Sequence, residues 1–264
     1  MPPELRRSLG FRDLVLFYVV TTFSLRWVAT AAGAGPSALV LWIVAAACLF
    51  VPLVFTVLEL SSRYPDEGGL YVWTKRAFGP FAAFMSGWMY WATNLPYFPG
   101  LLYFAGANAL YVAGPEAAQA HGSSAPYFIT FAVIGLTIAV LLNVVGLGVG
   151  KWLSNVGAIA GWIPVALLIA FGLYSWARYG SATPMTAASL VPGTRLKDLV
   201  FLSTIAFAFG GVESGSTMGE EIVDARRTVP RAVIAAGVII ATLYIVGTFT
   251  LLLALPKELL SGLQ

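Results

Sequence analysis

An all-α membrane protein with seven transmembrane helices is the fold class this sequence predicts, and three observations predict it. The chain is 59% hydrophobic and only 10% charged over 264 residues, whereas soluble domains carry about a quarter charged residues. Its apolar residues fall into seven runs, each near the ~20 residues that cross a bilayer. The loops between the runs are short and no low-complexity linker separates them, so residues 1–264 read as a single transmembrane domain.

The first expected span is Leu14–Thr30. Arg6, Arg7 and Arg12 precede it, and Ala29–Ala31 resembles a signal cleavage site. Arg26 and Trp27 interrupt that pattern and Asp13 spoils the basic region, so an uncleaved span is the better reading. Ala38–Leu60 is the second span, ended by Glu59 at the interface. Tyr71–Phe78 follows as a short amphipathic segment lying on the inner membrane face. Phe81–Val112 is too long for one straight crossing, and Pro96 and Pro99 in its middle predict a kink or a tilt. The aromatic cluster Trp88, Tyr90, Trp91 and Tyr97 reads as packing or an interfacial belt. Tyr127–Val145, Leu153–Trp176, Leu199–Met218 and Val233–Leu255 complete the set, with Pro230 starting the last. With the N-terminus inside, the inner segments hold ten basic residues, Arg6, Arg7, Arg12, Arg63, Lys75, Arg76, Lys151, Arg226, Arg227 and Arg231. The outer segments hold four, Arg178, Arg195, Lys197 and Lys257. That bias predicts a cytoplasmic N-terminus in a multi-pass plasma-membrane protein, the inner membrane in a bacterium.

Several function classes drop out. The net charge of +3 is spread over short loops, with no basic run for nucleic acid. The lone Cys48 excludes an internal disulfide framework, and the lone His121, in a loop, argues against a histidine-based metal site. Gly146–Trp152, "GLGVGKW", resembles a phosphate loop but lacks its first glycine and its Ser or Thr, so a cytoplasmic turn is expected there. A retinal protein needs a lysine in its last span, and the seventh span has none. No nucleophile–base set or paired intramembrane aspartates occur, so an enzyme is not expected, and no cofactor is implied.

Two spans combine a disruption with an intramembrane charge. Such charges are costly, by ~2.5–3.5 kcal/mol at the helix centre on insertion scales, and usually face a cavity or a partner. In the sixth span, "FAFGGVESGSTMGEE" (Phe207–Glu221), Gly210 and Gly211 mark the break. If an α-helix restarts there, Gly211, Gly215 and Gly219 share one face for close packing. Glu213, Ser216, Thr217 and Glu220 then form a polar face opposite. Glu220 and Glu221 fit a cytoplasmic surface, while Glu213 lies about two turns deeper. In the first span, "TTFS" weakens the helix without any glycine, and Thr22, Arg26 and Thr30 are spaced to share a face. For Arg26 three readings stay open: facing a cavity, snorkelling to the outer surface, or pairing with Glu213. Discontinuous helices near the midplane are how many secondary transporters build their sites, with half-helix N–H groups binding a substrate carboxylate. Spans one and six would be equivalent members of a five-plus-five inverted repeat.

Ordered segments then carry a family resemblance. Gly35–Phe81, with its Glu-Leu ending and Pro-x-x-Gly-Gly-x-Tyr loop, "FAFGGVES" (Phe207–Ser214), and "GEEIVDARRTVPRAV" (Gly219–Val233) resemble permeases of the amino acid–polyamine–organocation superfamily. "GWMYWATNLPYFPGLL" (Gly87–Leu102) is similar to the glutamate/GABA antiporter-like subgroup. The resemblance implies alternating access by the inverted-repeat fold, with an amino acid or related amine moved by proton symport or by exchange. It implies a substrate site drawn from Thr22, Ser24 and Arg26 in span one, Asn94 in span three, and Phe209, Gly210, Gly211 and Val212 in span six. Glu213 would couple protons, since its charge would repel a carboxylate bound at that half-helix, and Ser216 and Thr217 would line the pathway. The implied partners are a small-molecule substrate, protons and the lipid bilayer; oligomeric state is left open. "TTFSLRW" (Thr21–Trp27) stands where the family's glycine-rich break is expected. Family members have about ten to twelve spans, so the chain is expected to be the N-terminal part of a longer transporter. The alternatives are a polyamine transporter, or a non-transporting membrane subunit or receptor.

Overall fold

Helix follows helix along the chain, as the apolar runs dictate. The computed structural model describes residues 9–64, 66–145 and 147–260; Arg6, Arg7, Pro65 and Gly146 lie outside them. Among the described residues no strand forms, and the one ladder-like contact is an isolated parallel bridge between Leu9 and Ile222. The helices are α1 (Phe11–Thr22), α2 (Leu25–Ala32), α3 (Ser37–Ala45), α4 (Val51–Arg63), α5 (Leu70–Phe78), α6 (Pro80–Ala113) and α7 (Pro115–His121). They continue as α8 (Ala125–Val145), α9 (Leu147–Tyr179), α10 (Ala187–Leu190), α11 (Leu196–Phe207), α12 (Ala225–Ala254) and α13 (Lys257–Leu260). A 3-10 helix, Ser214–Glu221, lies between α11 and α12. Among the described residues, four helical stretches are long and apolar enough to cross a membrane, and the bent pair α1–α2 makes a fifth when read as one span. The protein is an all-α, multi-pass integral membrane protein.

Two expected spans fall short of that test for different reasons. The helix α6 runs through Pro96 and Pro99 for 34 residues, about 51 Å at 1.5 Å per residue, but its Trp, Tyr, Pro and Asn content lowers its hydropathy. The sixth span fails by length, because α11 stops at Phe207. Two smaller expectations are corrected as well. Leu147–Trp152 belongs to α9 instead of a turn. The seventh span begins at Ala225, not at Pro230, with Asp224 ahead of it at φ 47° and the Thr228 hydroxyl donating to the Val223 carbonyl.

The chain divides into two compact units, one formed by the described residues through Gly69 together with those from Leu153 onward, the other by Leu70–Trp152. In the first, α12 is the central helix and packs against α1, α2, α3 and α4. Its buried Val229, Val233, Ala236, Ile240, Tyr244 and Gly247 recur every three or four residues, one face of a helix. Small residues let neighbours come close: Gly237 faces the Phe50 ring and Gly247 faces Val28. Ala46–Phe50 joins α3 to α4 as a π-turn, with the Val51 N–H reaching back to the Ala46 carbonyl. Pro52, which has no N–H for the regular ladder, sits one residue beyond, and the widened turn accommodates it. Asp13 caps the start of α1 by accepting the Gly10 N–H at 3.0 Å, and the Asn155 amide of α9 donates to the same carboxylate at 2.9 Å.

In the second unit α6 packs against α5, α7 and α8. Tyr103 stacks on Phe128 with centroids 4.1 Å apart, and the Tyr127 hydroxyl donates to the Gly106 carbonyl at 3.0 Å. Along α8, Ile129, Val133, Val140, Leu141 and Val144 are exposed. Such a continuous apolar surface suits hydrocarbon as its solvent.

Candidate functional site

The first break is made without glycine. After Thr22 the chain becomes extended at Phe23 (φ −80°, ψ 132°) and Ser24 (φ −145°, ψ 134°), conformations open to any side chain. The Thr21 hydroxyl lies against the Phe17 and Tyr18 carbonyls, a back-bonding pattern that weakens and bends helices. Ser24 then starts α2 by accepting the Arg26 N–H at 3.3 Å. The two halves are bent by 42°. Thr22 therefore stands on a different helix from Arg26, whereas Arg26 and Thr30 do share a face, joined by the Thr30 hydroxyl on the Arg26 carbonyl at 2.9 Å. The Arg26 guanidinium sits 4.4 Å from the Trp27 ring centroid, and Trp27 packs edge-on to Phe207 at 5.7 Å. The Arg26 Nε is buried with no hydrogen-bond partner.

The second break is wider and of another kind. From Ala208 to Glu213 the chain turns irregularly, and Gly211 takes φ +114°, a value that side chains rarely tolerate. An α-helical restart does not follow. Ser214–Glu221 winds as a 3-10 helix, and Met218 inside it is non-helical. The side chains explain this. Ser214 donates to the Gly211 carbonyl, Ser216 to the Glu213 carbonyl at 2.6 Å and Thr217 to the Ser214 carbonyl at 2.7 Å, all three residues back. The hydroxyls of Ser216 and Thr217, expected along a pathway, are thus turned onto their own backbone. Ser216 is buried together with Gly215 and Gly219, so the two separate faces expected of an α-helix do not form. Gly69, at φ +41°, rides directly on Ser216, and the Gly68 N–H reaches the Thr217 carbonyl at 3.4 Å.

Glu213 does something the sequence did not suggest. Its Oε2 accepts the Gly211 N–H at 3.0 Å. The donor expected for a substrate carboxylate is occupied by the chain's own carboxylate. Val212 beside it is fully buried.

The two breaks face each other. A Cβ on Gly211 would come within 3.0 Å of the Thr22 hydroxyl and 3.1 Å of the Thr21 carbonyl, and one on Gly215 would collide with the Tyr18 hydroxyl. Tyr18 and Thr22 are one turn apart on α1, and both hydroxyls are buried without a hydrogen-bond partner. Such buried orphans need a reason, and a polar guest is one. Phe209 is buried in an aromatic group, stacked on Phe50 at 4.6 Å and edge-on to Trp42 and Tyr244. Gly210 donates to the Phe207 carbonyl at 3.0 Å and closes the end of α11. Asn94 lies on α6 in the second unit, its amide donating to the Tyr90 carbonyl at 2.8 Å.

Tyr18 and Tyr244 are the site residues that sequence reasoning missed. Each had a signal: Tyr18 is four residues before Thr22, and Tyr244 is a lone phenol inside an apolar run, where its hydroxyl must find a partner.

Comparison with known proteins shows the family. A family model described as "Amino acid permease" matches residues 9–264. The chain is 27% identical to an uncharacterised transporter of Legionella pneumophila, over 97% of this chain and 55% of that protein. It is 27% identical to a Lactococcus lactis protein named "Probable agmatine/putrescine antiporter", over 97% of this chain and 54% of the other. A serine/threonine exchanger of Bacillus subtilis is 26% identical over 75% of this chain and 42% of its own length. The chain thus spans about half the length of the curated relatives it matches. These relatives are transporters by name and not enzymes. With a match running from Leu9 to Gln264 and two broken helices meeting inside one unit, the chain belongs to the amino acid permease family of membrane transporters.

Proposed function

We propose that this chain forms the substrate-holding part of a secondary transporter for amino acids or related amines, working by alternating access with its N-terminus in the cytoplasm. The observation that carries the reading is the meeting of the two breaks, where buried Tyr18 and Thr22 hydroxyls lie unpartnered against Gly215 and Gly211. Thr22, Ser24, Phe209, Gly210, Gly211 and Val212 would surround the substrate, and the Val212 N–H would take a substrate carboxylate. Glu213 supports a specific form of coupling. Its carboxylate holds the Gly211 N–H, so a substrate carboxylate must displace it, and a proton on Glu213 would weaken that internal bond and its repulsion. Proton symport and exchange both use this competition.

A second reading concerns the substrate charge. An acid at the break would attract a diamine, and the Lactococcus lactis relative carries an agmatine/putrescine name. The test is counterflow in proteoliposomes with the full-length protein, comparing labelled amino acids with labelled diamines across pH. Uptake of amino acids whose pH dependence flattens in Glu213→Gln is the expected result. Uptake of diamines alone would move the proposal to polyamines. No uptake of either class would leave a non-transporting subunit or receptor.

A further inference from the structure

Tyr244 lies on α12, outside both breaks, yet its hydroxyl touches each of them. The oxygen is 2.7 Å from the Thr22 carbonyl at the end of α1 and 3.0 Å from the Ala208 carbonyl at the end of α11. It also accepts the Ser24 N–H at 3.3 Å, from the residue that starts α2. Three half-helix ends therefore meet on one atom. The bonds to the Thr22 and Ala208 carbonyls are buried and the Ser24 contact is part-buried, so a lost carbonyl bond is costly.

The ring that carries the hydroxyl is held on several sides. Trp42 stacks on it with centroids 4.3 Å apart and planes 6° from parallel. Phe209 meets it edge-on at 5.5 Å, and Phe23 lies against it at 5.0 Å. Trp42 is itself tied to α12 by its indole N–H, which donates to the Thr248 hydroxyl at 2.9 Å, one turn beyond Tyr244. The ring, and with it the hydroxyl, is held in place by these contacts.

A phenol has one proton to give. Two carbonyls compete for it, one from each break. When the proton goes to Thr22, the Ala208 carbonyl is weakly served, and the reverse holds when it goes to Ala208. Neither helix end can leave the hydroxyl without changing the bonding of the other.

We propose that Tyr244 is the positioning residue that joins the two breaks, its single hydroxyl proton shared between the Thr22 and Ala208 carbonyls so that losing the hydroxyl loosens the ends of α1 and α11 together, while the release of one carbonyl leaves the proton to the other. The consequence for transport rests on the proposed function above; the joining itself does not.

The experiment uses the full-length protein in lipid nanodiscs, with amide hydrogen exchange read by mass spectrometry. In Tyr244→Phe, peptides covering residues 21–26 and 207–213 are expected to exchange about five- to tenfold faster, both together. Thr248→Val removes a buried hydrogen bond from the same helix and aromatic group, and should leave both peptides within about twofold of the parent. Substituting 4-aminophenylalanine at position 244 supplies two N–H donors, one for each carbonyl, and should restore protection at both breaks. The idea is overturned if only one break loosens, if neither does, or if Thr248→Val matches Tyr244→Phe. Should the phenylalanine variant fail to fold, the aminophenylalanine variant decides alone: protection at both breaks supports the joining and loss at either refutes it. Counterflow on the same samples separates the two claims. A parent protein that moves no amino acid or amine, yet shows the paired exchange, removes the transport reading only. An active parent whose Tyr244→Phe variant keeps both breaks protected removes the joining only.

Discussion

The two breaks interrupt their spans with opposite chemistry. In the first span two ordinary residues, Phe23 and Ser24, extend at negative φ, and a serine cap restarts the helix. In the sixth, Gly211 enters a region with φ +114°, and an α-helix never restarts. The first break is therefore tolerant of side chains and dependent on a cap. The second depends on one glycine and on the close approach of α1. A helix can be interrupted without leaving a glycine in the sequence, provided the interruption is extended.

Substitutions test that contrast. The largest effect is expected for Gly211→Ala. A side chain held in such a region costs about 1–3 kcal/mol, and here the added carbon also crowds the Thr21 carbonyl at 3.1 Å. The thermal midpoint in detergent should fall clearly, and an unchanged midpoint would mean that the positive φ is not needed. Gly215→Ala comes next, since its Cβ would run into the buried Tyr18 hydroxyl. Overpacking of this kind costs about 1–3 kcal/mol, and the paired variant Gly215→Ala with Tyr18→Phe should recover part of the loss. At the first break Ser24→Ala should cost only about 1 kcal/mol and Ser24→Gly a few tenths. Denaturation showing Ser24→Gly as harmful as Gly211→Ala would erase the distinction between the two breaks.

The smallest effect belongs to Glu221, at the far end of the 3-10 segment. Burial, and then the nearby Glu67, push its carboxyl above the ordinary range. A folded-state pKa above the unfolded one means that ionisation disfavours the fold. The contribution is fully present below the ordinary carboxylate value of about 4.3 and is lost as pH rises through the raised value. Glu221→Gln should flatten that part of a stability–pH profile. A profile equally steep in the variant would place the titration elsewhere.

The helices of this fold were largely legible, because apolar runs of membrane length have few other readings. The sixth-span break was legible through Gly210 and Gly211. Its 3-10 continuation was not, since the pattern of glycines at every fourth residue fits an α-helix equally well. Only the hydroxyls of Ser214, Ser216 and Thr217, each bound three residues back, tip the balance. At the site, Gly211 was legible as a break, whereas the spacing that grouped Thr22 with Arg26 and Thr30 is undone by the bend; Thr22 faces Gly211 instead. The occupation of the Gly211 N–H by Glu213 was hidden, because a residue two positions away reaches back only if the turn has that shape. Tyr244 was hidden for a different reason. Its partners are 222 and 36 residues away, and nothing local marks such a meeting.

That separation has a consequence for how the protein is made. The Thr22 carbonyl receives its hydrogen bond from a residue 222 positions later. At about 5–20 residues per second, synthesis takes roughly 10–45 seconds to reach it. During that interval the first span is already in place with an open carbonyl at its bend, which water, lipid headgroups or the insertion machinery must serve. The bend of α1 is thus completed only once α12 has been made.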